Sequence, residues 1–530
     1  VLRSHWWVWA AISLHFLLLM FLGLTRHWGY ITSLNDLGVF DQAIWGTMHG
    51  QFLLNTSQLD QPINWLGFHF HPVILLFVPL YAIAPCPEWF AFAQALALSL
   101  AAWPIFLLAT RICQSGTAGL LWAIAYLFNP FLLNAAAWDF HPVALAVPFI
   151  ALGLLAIEKA DSRLLLFASI PLLFIQEQLG LTVAAFGLLW WLRNGQWKVA
   201  LAIALLGVIH AALVLGVLMP ALSPTGAHVM FAEHLGQLSR YDWLGHSVSE
   251  IALNMLTHPW QIAHKALFDW EGWVYLALLL LPFFGFPLAA AGQLLPAIPD
   301  LSANLLSANP MPSSAFAYHS VTLVPVLAVA AAYGAKRISL WWTWLSSAQV
   351  SGLAIVASLV MGYTLAPLPL PGAVNFWAPA HFPDAPDPRL PVLRAILGNA
   401  SVSAQSNIGA QFSQRREIFS YPKKINETEA IVLRLDSPTK ELWPKAPAGT
   451  ASLASHLQMQ PVDYLASVDC LLSRGVFKVA RWEDPWLIFS RNATTNTGQR
   501  HEIELKLLQL RKTWGIAADE YAAAAKACKQ

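Results

Sequence analysis

Eight stretches of this chain stay apolar for long enough to cross a bilayer, and that succession limits the fold more than any single motif. They lie at about residues 6 to 24, 88 to 110, 117 to 134, 141 to 158, 198 to 219, 273 to 291, 318 to 335 and 340 to 363. Each is near the length that a hydrocarbon layer about 30 Å thick demands. Inside that layer the backbone has no water to bond, so such stretches become helices packed on helices. The composition agrees, with 57% hydrophobic and 11% charged residues in a chain of 530. That leaves too little polar surface for a soluble globule of this size. A net charge of +1 excludes a nucleic-acid partner, since no basic excess is present to neutralise phosphates. Cys86, Cys113, Cys470 and Cys528 fall without paired spacing and predict neither a disulfide framework nor a zinc site.

Three further segments need interpretation. Residues 163 to 192 are too long for one upright helix and are interrupted by Gln176, Glu177 and Gln178, which predicts two short helices turning at Glu177. Residues 287 to 303 are broken by Pro296 and Pro299 and predict an irregular crossing. The segment from His69 to Pro85 either spans or lies along the interface, and positive charge arbitrates. With that segment interfacial, Arg3, Arg111, Lys159, Arg163, Arg193, Lys198, Lys336 and Arg337 share one side, and Arg26 alone among the short-turn basic residues lies opposite. The result is about eleven crossings with a cytoplasmic amino terminus and an outer carboxyl terminus. No small-residue cleavage site follows the first apolar run closely, so it reads as a retained helix.

This topology gathers Asp36, Asp41, Asp60, Asp139 and Glu177 on the outer face. It predicts a transmembrane domain over 1–366 with outer loops at 25–68 and 223–271. The second loop carries amphipathic spacing around Ile251 to Leu267, which predicts an interfacial helix. A proline-rich linker follows over 367–391, then a soluble extracytoplasmic α/β domain over 392–530. Within that domain strands are predicted from Ser401, from Glu429, and in a hairpin over Phe477 to Arg491 turning at Asp484 and Pro485. Helical patterns close the chain near Glu502 to Trp514 and Ala517 to Lys529.

Two copies of a histidine-proline pattern stand out. HFHP carries His69 and His71, and DFHP carries Asp139 and His141. Imidazoles brought to one face contact a phosphate or, with carboxylates, a metal; the same pattern also simply starts a helix in the headgroup zone. No ligand spacing is diagnostic of zinc, so phosphate contact is the favoured reading. Glu177, costly to place near lipid, must face a cavity or a partner. Tyr318 and His319 open a crossing on the outer face, and Arg240 and Lys265 are the cations available there for a phosphate. Each also fits an interface anchor.

The runs SLNDLGVFDQAIWGTMHGQ, GFHFHPVILLFVPLYAIAP, NPFLLNAAAWDFHPVAL and SVSAQSNIGAQFSQRREIFSYP resemble the bacterial predicted-membrane-protein family of unknown function numbered 2079. That family is similar in layout to the GT-C superfamily of polyprenyl-phosphate-sugar-dependent glycosyltransferases. The resemblance implies a mainly α, GT-C-like bundle in the bacterial inner membrane and a lipid-linked sugar donor used at the extracytoplasmic face. It places the first-loop catalytic carboxylate on Asp36, as a base toward the acceptor hydroxyl or as the holder of a divalent cation. The remaining candidates, Asp41, His69, His71, Asp139, His141, Glu177, Arg240, Lys265, Tyr318 and His319, would bind substrate. Adjacent acidic pairs common in that superfamily are absent at Asp36. Two other readings stay open: a transporter or lipid flippase, and a noncatalytic subunit whose outer domain docks a partner protein. Against the transporter, the carboxylates gather at one face and no inverted repeat is visible.

Overall fold

The computed structural model describes residues 2–59, 61–224, 226, 240–341, 343–368, 370–371, 383–436, 450–493 and 497–529. Asp60, residues 369 and 372–382 of the proline-rich linker and the side chain of Cys528 lie outside the described residues. The chain divides into two compact units. One comprises Val1–Gly23, Ile63–Phe77 and Glu88–Trp377, the other Leu24–Pro62, Val78–Pro87 and Ala378–Gln530.

The first unit is helical. Among the described residues, six helices are long and apolar enough to cross a membrane, or up to eight if each of two bent pairs is one span. One of those pairs, Gly116–Leu127 with Pro130–Ala136, bends by 48°. Asn129 caps the second helix of that pair with Pro130 in its first turn, where a missing N–H costs nothing. The long run after Arg163 is two helices, Ser162–Ile175 and Leu179–Asn194, separated at Gln176 to Gln178. Residues 286 to 306 are a 3-10 segment, Phe286–Ala297, running into Ile298–Leu306. Pro72–Ile83 is a shorter apolar helix, below the length of an upright crossing. In the loop expected over 223–271 the amphipathic spacing forms two helices, Val248–Thr257 and Pro259–Phe268. Leu253, Leu256, Trp260 and Phe268 on them are exposed.

Close packing in the bundle comes from small residues. A Cβ built on Gly180 would stand 2.7 Å from the carbonyl oxygen of Gly207, and a Cβ on Gly207 would collide with the carbonyl of Gly180. Leu179–Asn194 and Trp197–Leu213 therefore touch backbone to backbone, the way membrane helices associate without a hydrophobic drive between them. One chain of buried polar groups is matched inside the bundle. Asn304 Nδ2 donates to Tyr275 Oη at 2.9 Å, Tyr275 Oη lies 2.7 Å from Ser320 Oγ, and Thr322 Oγ1 donates to Asp300 at 2.5 Å.

The second unit holds a five-stranded sheet with strands β1 (Val402–Ala404), β2 (Ile418–Ser420), β3 (Ala430–Arg434), β4 (Lys478–Glu483) and β5 (Trp486–Ser490). Their order is β2-β1-β3-β5-β4. β1 pairs parallel with both neighbours, while β5 runs antiparallel to β3 and β4. Period-two alternation splits β3 between two cores: Ile431 and Leu433 face Tyr464, Leu465 and Val468, whereas Ala430 and Val432 face Leu390, Leu393 and Ile408. The predicted strands and the hairpin are present. β2 and the helices Leu390–Leu397 and Pro461–Arg474 were not foreseen.

First-loop residues are built into this unit. Gln411 Nε2 donates to the His27 carbonyl at 3.0 Å, and Thr56 Oγ1 donates to the Ile418 carbonyl at 2.9 Å. The cysteine expectation needs correction: Cys470 is disulfide-bonded, while Cys113 is a free thiol. Spacing rules detect local pairs, and a disulfide between distant residues leaves no such trace.

Candidate functional site

The two histidine-proline motifs fold alike. A residue before proline avoids the α region, and proline suits the first helical turn. His141 is extended, at φ −131° and ψ 130°, and Pro142 starts a 3-10 helix, Pro142–Ala146. In the first motif Pro72 likewise opens Pro72–Phe77 directly after His71. Each motif thus delivers a histidine at the mouth of a short helix, outside the candidate spans.

Glu177 reaches the first motif from the break between its two helices. Its Oε1 lies 3.0 Å from His69 Nδ1, and its Oε2 accepts the Phe70 amide at 3.0 Å. An ionised carboxylate only accepts, so the Nδ1 of His69 carries the hydrogen. His71 is held differently: the indole Nε1 of Trp65 donates to its Nδ1 at 3.2 Å. The rings of His69 and His71 stack at 5.2 Å and 13°. In the second motif His141 Nδ1 donates to the Asp139 carbonyl at 3.0 Å, and the His141 amide donates to Gln94 Oε1 at 3.1 Å. Tyr318 then stacks on His141 at 3.6 Å and on His319 at 4.2 Å.

These groups feel one another. Burial drives His71 well below the ordinary histidine range, with the His69 charge adding to it. Burial likewise takes His141 and His319 to about 3, and the charge of Arg240 adds to the effect on His319. Burial alone would push the Glu177 carboxyl up; the adjacent His69 imidazole reverses this and holds it at about 2. Arg240 sits on a stretch pinned to Ile298–Leu306 by Tyr241 Oη on the Ala303 carbonyl and Trp243 Nε1 on the Leu306 carbonyl, both at 2.9 Å. Arg240 Nε and both ring nitrogens of His319 are buried without a hydrogen-bond partner among the described residues.

One unit therefore brings together His69, His71, Glu177, Asp139, His141, Tyr318, His319 and Arg240. Lys265 is tied to Asp269 at 2.7 Å within its own helix region. Asp36 and Asp41 belong to the other unit. Asp36 lies in a π-turn, Leu34–Gly38, capped by Ser33 and not by Asn35 or Asp36. Asp41 is 1% exposed and accepts from Tyr81 Oη at 2.7 Å, Ser413 Oγ at 2.5 Å and Gln414 Nε2 at 3.0 Å. Burial pushes its carboxyl up against the pull of those donors. With both oxygens taken, Asp41 pins its helix rather than presenting a charge.

His69, His71 and Glu177 each offer an atom within 4.8 Å of the others, close enough to surround a cation. Their bonds fit one poorly. The donor-only indole occupies His71 Nδ1, and both Glu177 oxygens are engaged, so a cation would have to displace existing partners. Trp65 and Gln94, which orient this cluster, escaped the sequence reading because a tryptophan near a helix end looks like an aromatic-belt residue. The model of a family described as predicted membrane protein (DUF2079) matches residues 26–460. No curated protein matches the chain.

Proposed function

Because the chain belongs to the DUF2079 family of predicted membrane proteins, we propose for it a reaction at the membrane surface. It acts as an inverting transferase of GT-C type, moving a sugar from a polyprenyl-phosphate-linked donor to an extracytoplasmic acceptor. The observation that carries this reading is a pair of buried donors beside the imidazole cluster that have no hydrogen-bond partner among the described residues, Arg240 Nε and the one ring nitrogen of the neutral His319 that bears its hydrogen. Desolvated donors of this kind are matched by an anion, and a phosphate supplies several acceptor oxygens at once.

In this mechanism the acceptor hydroxyl attacks the sugar C1 from the side opposite the phosphate. The new C1–O bond forms as the C1–O(phosphate) bond breaks, and the phosphate leaves with the electron pair. By the resemblance to the GT-C layout Asp36 is the base that takes the hydroxyl proton, and within the first unit Arg240 and the hydrogen-bearing ring nitrogen of His319 meet the charge that grows on the phosphate, with His141 stacked on Tyr318 beside them. Asp139 and Tyr318 hold the second motif, while Asp41 and Lys265 serve structure. The disulfide at Cys470 supports an outer, oxidising location for the second unit, with about eleven crossings between a cytoplasmic amino terminus and that unit.

The test is transfer of labelled sugar from membrane polyprenyl phosphates in vesicles carrying the full chain. Asp36→Asn is expected to lower transfer on the order of 10²-fold or more. Wild-type rates in that variant refute the assignment of Asp36.

A further inference from the structure

Two candidate spans, Glu88–Cys113 and Pro142–Lys159, end beside one carboxylate, that of Glu158. Arg193, in the last turn of Leu179–Asn194, donates from Nη2 to Glu158 Oε2 at 2.8 Å and to Tyr333 Oη at 2.9 Å. Tyr333, on Leu323–Trp341, donates to the same carboxylate oxygen. Arg111, in the last turn of Ala102–Cys113, holds its Nε 3.9 Å from Glu158 Oε1, too far for a hydrogen bond. Four helices meet on one acid, and the charges do not balance. A clamp between helices needs one cation on Glu158. Arg193 supplies it with good geometry, and Arg111 is left over. Lys159 follows Glu158 directly, and Lys336 stands three residues beyond Tyr333 on the same helix face. The side chains of Arg111 and Arg193 are 57% and 35% exposed. Among the described residues Arg111 makes no hydrogen bond and Arg193 bonds only through Nη2, so most donors of the two forks are unused.

We propose that Arg111 and Arg193 bind the phosphate of an anionic glycerophospholipid. A guanidinium fork matches phosphate oxygens, and the phosphate supplies the second negative charge that Glu158 lacks. The place fits a lipid rather than a free ion. Spans that end here put the two arginines at headgroup depth, and Trp191, Leu192 and Trp197, which flank Arg193 in sequence, are exposed for acyl chains and glycerol to cover. A zwitterionic headgroup brings its own ammonium and leaves the excess charge uncancelled. The lipid would tie Ala102–Cys113 to Leu179–Asn194 through its phosphate, as Glu158 does through its carboxylate. The binding stands apart from sugar transfer, since none of these residues takes part in that reaction.

The experiment titrates the full chain, purified in a neutral detergent, with phosphatidylglycerol or phosphatidylcholine and counts bound lipid by native mass spectrometry. Phosphatidylglycerol is expected to bind the more tightly. Arg111→Gln and Arg193→Gln are each expected to weaken it about 5-fold, the worth of one cation at an anionic surface. Glu158→Gln removes the competing acid and is expected to tighten it by a similar factor, the opposite of what loss of a purely structural clamp would do. Lys265→Gln, at a cation already paired with Asp269, is expected to leave it unchanged. Equal affinity for the two lipids overturns the proposal, and so does wild-type affinity in Arg111→Gln or weaker binding in a folded Glu158→Gln. An equal loss in Lys265→Gln overturns it as well, because attraction to net charge then suffices. Displacement of phosphatidylglycerol by inorganic phosphate at equal concentration assigns the arginines to free phosphate and overturns the lipid site. Where Arg193→Gln or Glu158→Gln does not fold, Arg111→Gln, exposed and without a hydrogen bond to lose, decides alone. Loss of transfer activity leaves these outcomes intact, so the two proposals fail separately.

Discussion

Two buried carboxylates, Asp41 in one unit and Glu177 in the other, show how differently a protein can use the same group. Asp41 is surrounded by neutral donors from Tyr81, Ser413 and Gln414, none of which exchanges a proton near neutral pH. Glu177 is 7% exposed and faces an imidazole and an amide on consecutive residues. The first arrangement can only hold; the second holds and also sets the state of a titratable ring. Burial alone does not tell a structural carboxylate from a functional one. The chemistry of its partners does.

Removal of each group sharpens the contrast. Asp41→Ala removes the acceptor of the buried Tyr81 and Ser413 hydroxyls and of the half-buried Gln414 amide, and is expected to cost about 2–4 kcal/mol of stability, read as a large fall in the thermal midpoint of the detergent-solubilised protein. Glu177→Gln keeps the size of the side chain but sets an amide hydrogen against either the Phe70 amide or His69 Nδ1. Its thermal midpoint is expected to stay near wild type while transfer turnover falls on the order of 10²-fold, because the ring adopts the wrong tautomer. A Glu177→Gln protein that unfolds like Asp41→Ala would erase the distinction.

Asp436 offers an intermediate case. Burial raises its carboxyl to about 6, against the pull of Arg434 at 2.7 Å and of Lys506. The folded state thus binds this proton more tightly than the unfolded chain does. The resulting stabilisation is present below the unfolded pKa near 4 and is lost as pH rises through about 6. Urea unfolding of the second unit is expected to be about 2 kcal/mol less favourable to the fold at pH 7 than at pH 4 on account of this group. The Asp436→Asn protein should lack that component; an unchanged pH dependence would show that the Arg434 pair neutralises the effect.

The sequence made parts of this visible for physical reasons. Apolar length and interruption leave local marks, so the break at Gln176 to Gln178, the irregular 286 to 306 segment and the hairpin turning at Asp484 were readable. The histidine-proline motifs were readable because each is contiguous and unusual in an apolar chain. What decided their chemistry was not: Trp65 beside His71 and Gln94 beside His141 depend on packing, and an indole donor looks the same in sequence whether it faces a headgroup or a ring. The incorporation of first-loop residues such as Thr56 and His27 into the unit of the sheet was invisible for the same reason, since their partners lie hundreds of positions away.

One carboxylate grasping both the ring of residue 69 and the main chain of residue 70 has a mechanical meaning. The imidazole cannot swing independently of its own peptide, so any shift of the short helix that Pro72 begins would carry the ring with it as one rigid piece. Aspartate, a methylene shorter, would have to release one of the two grips, which makes side-chain reach as strict a requirement at position 177 as negative charge.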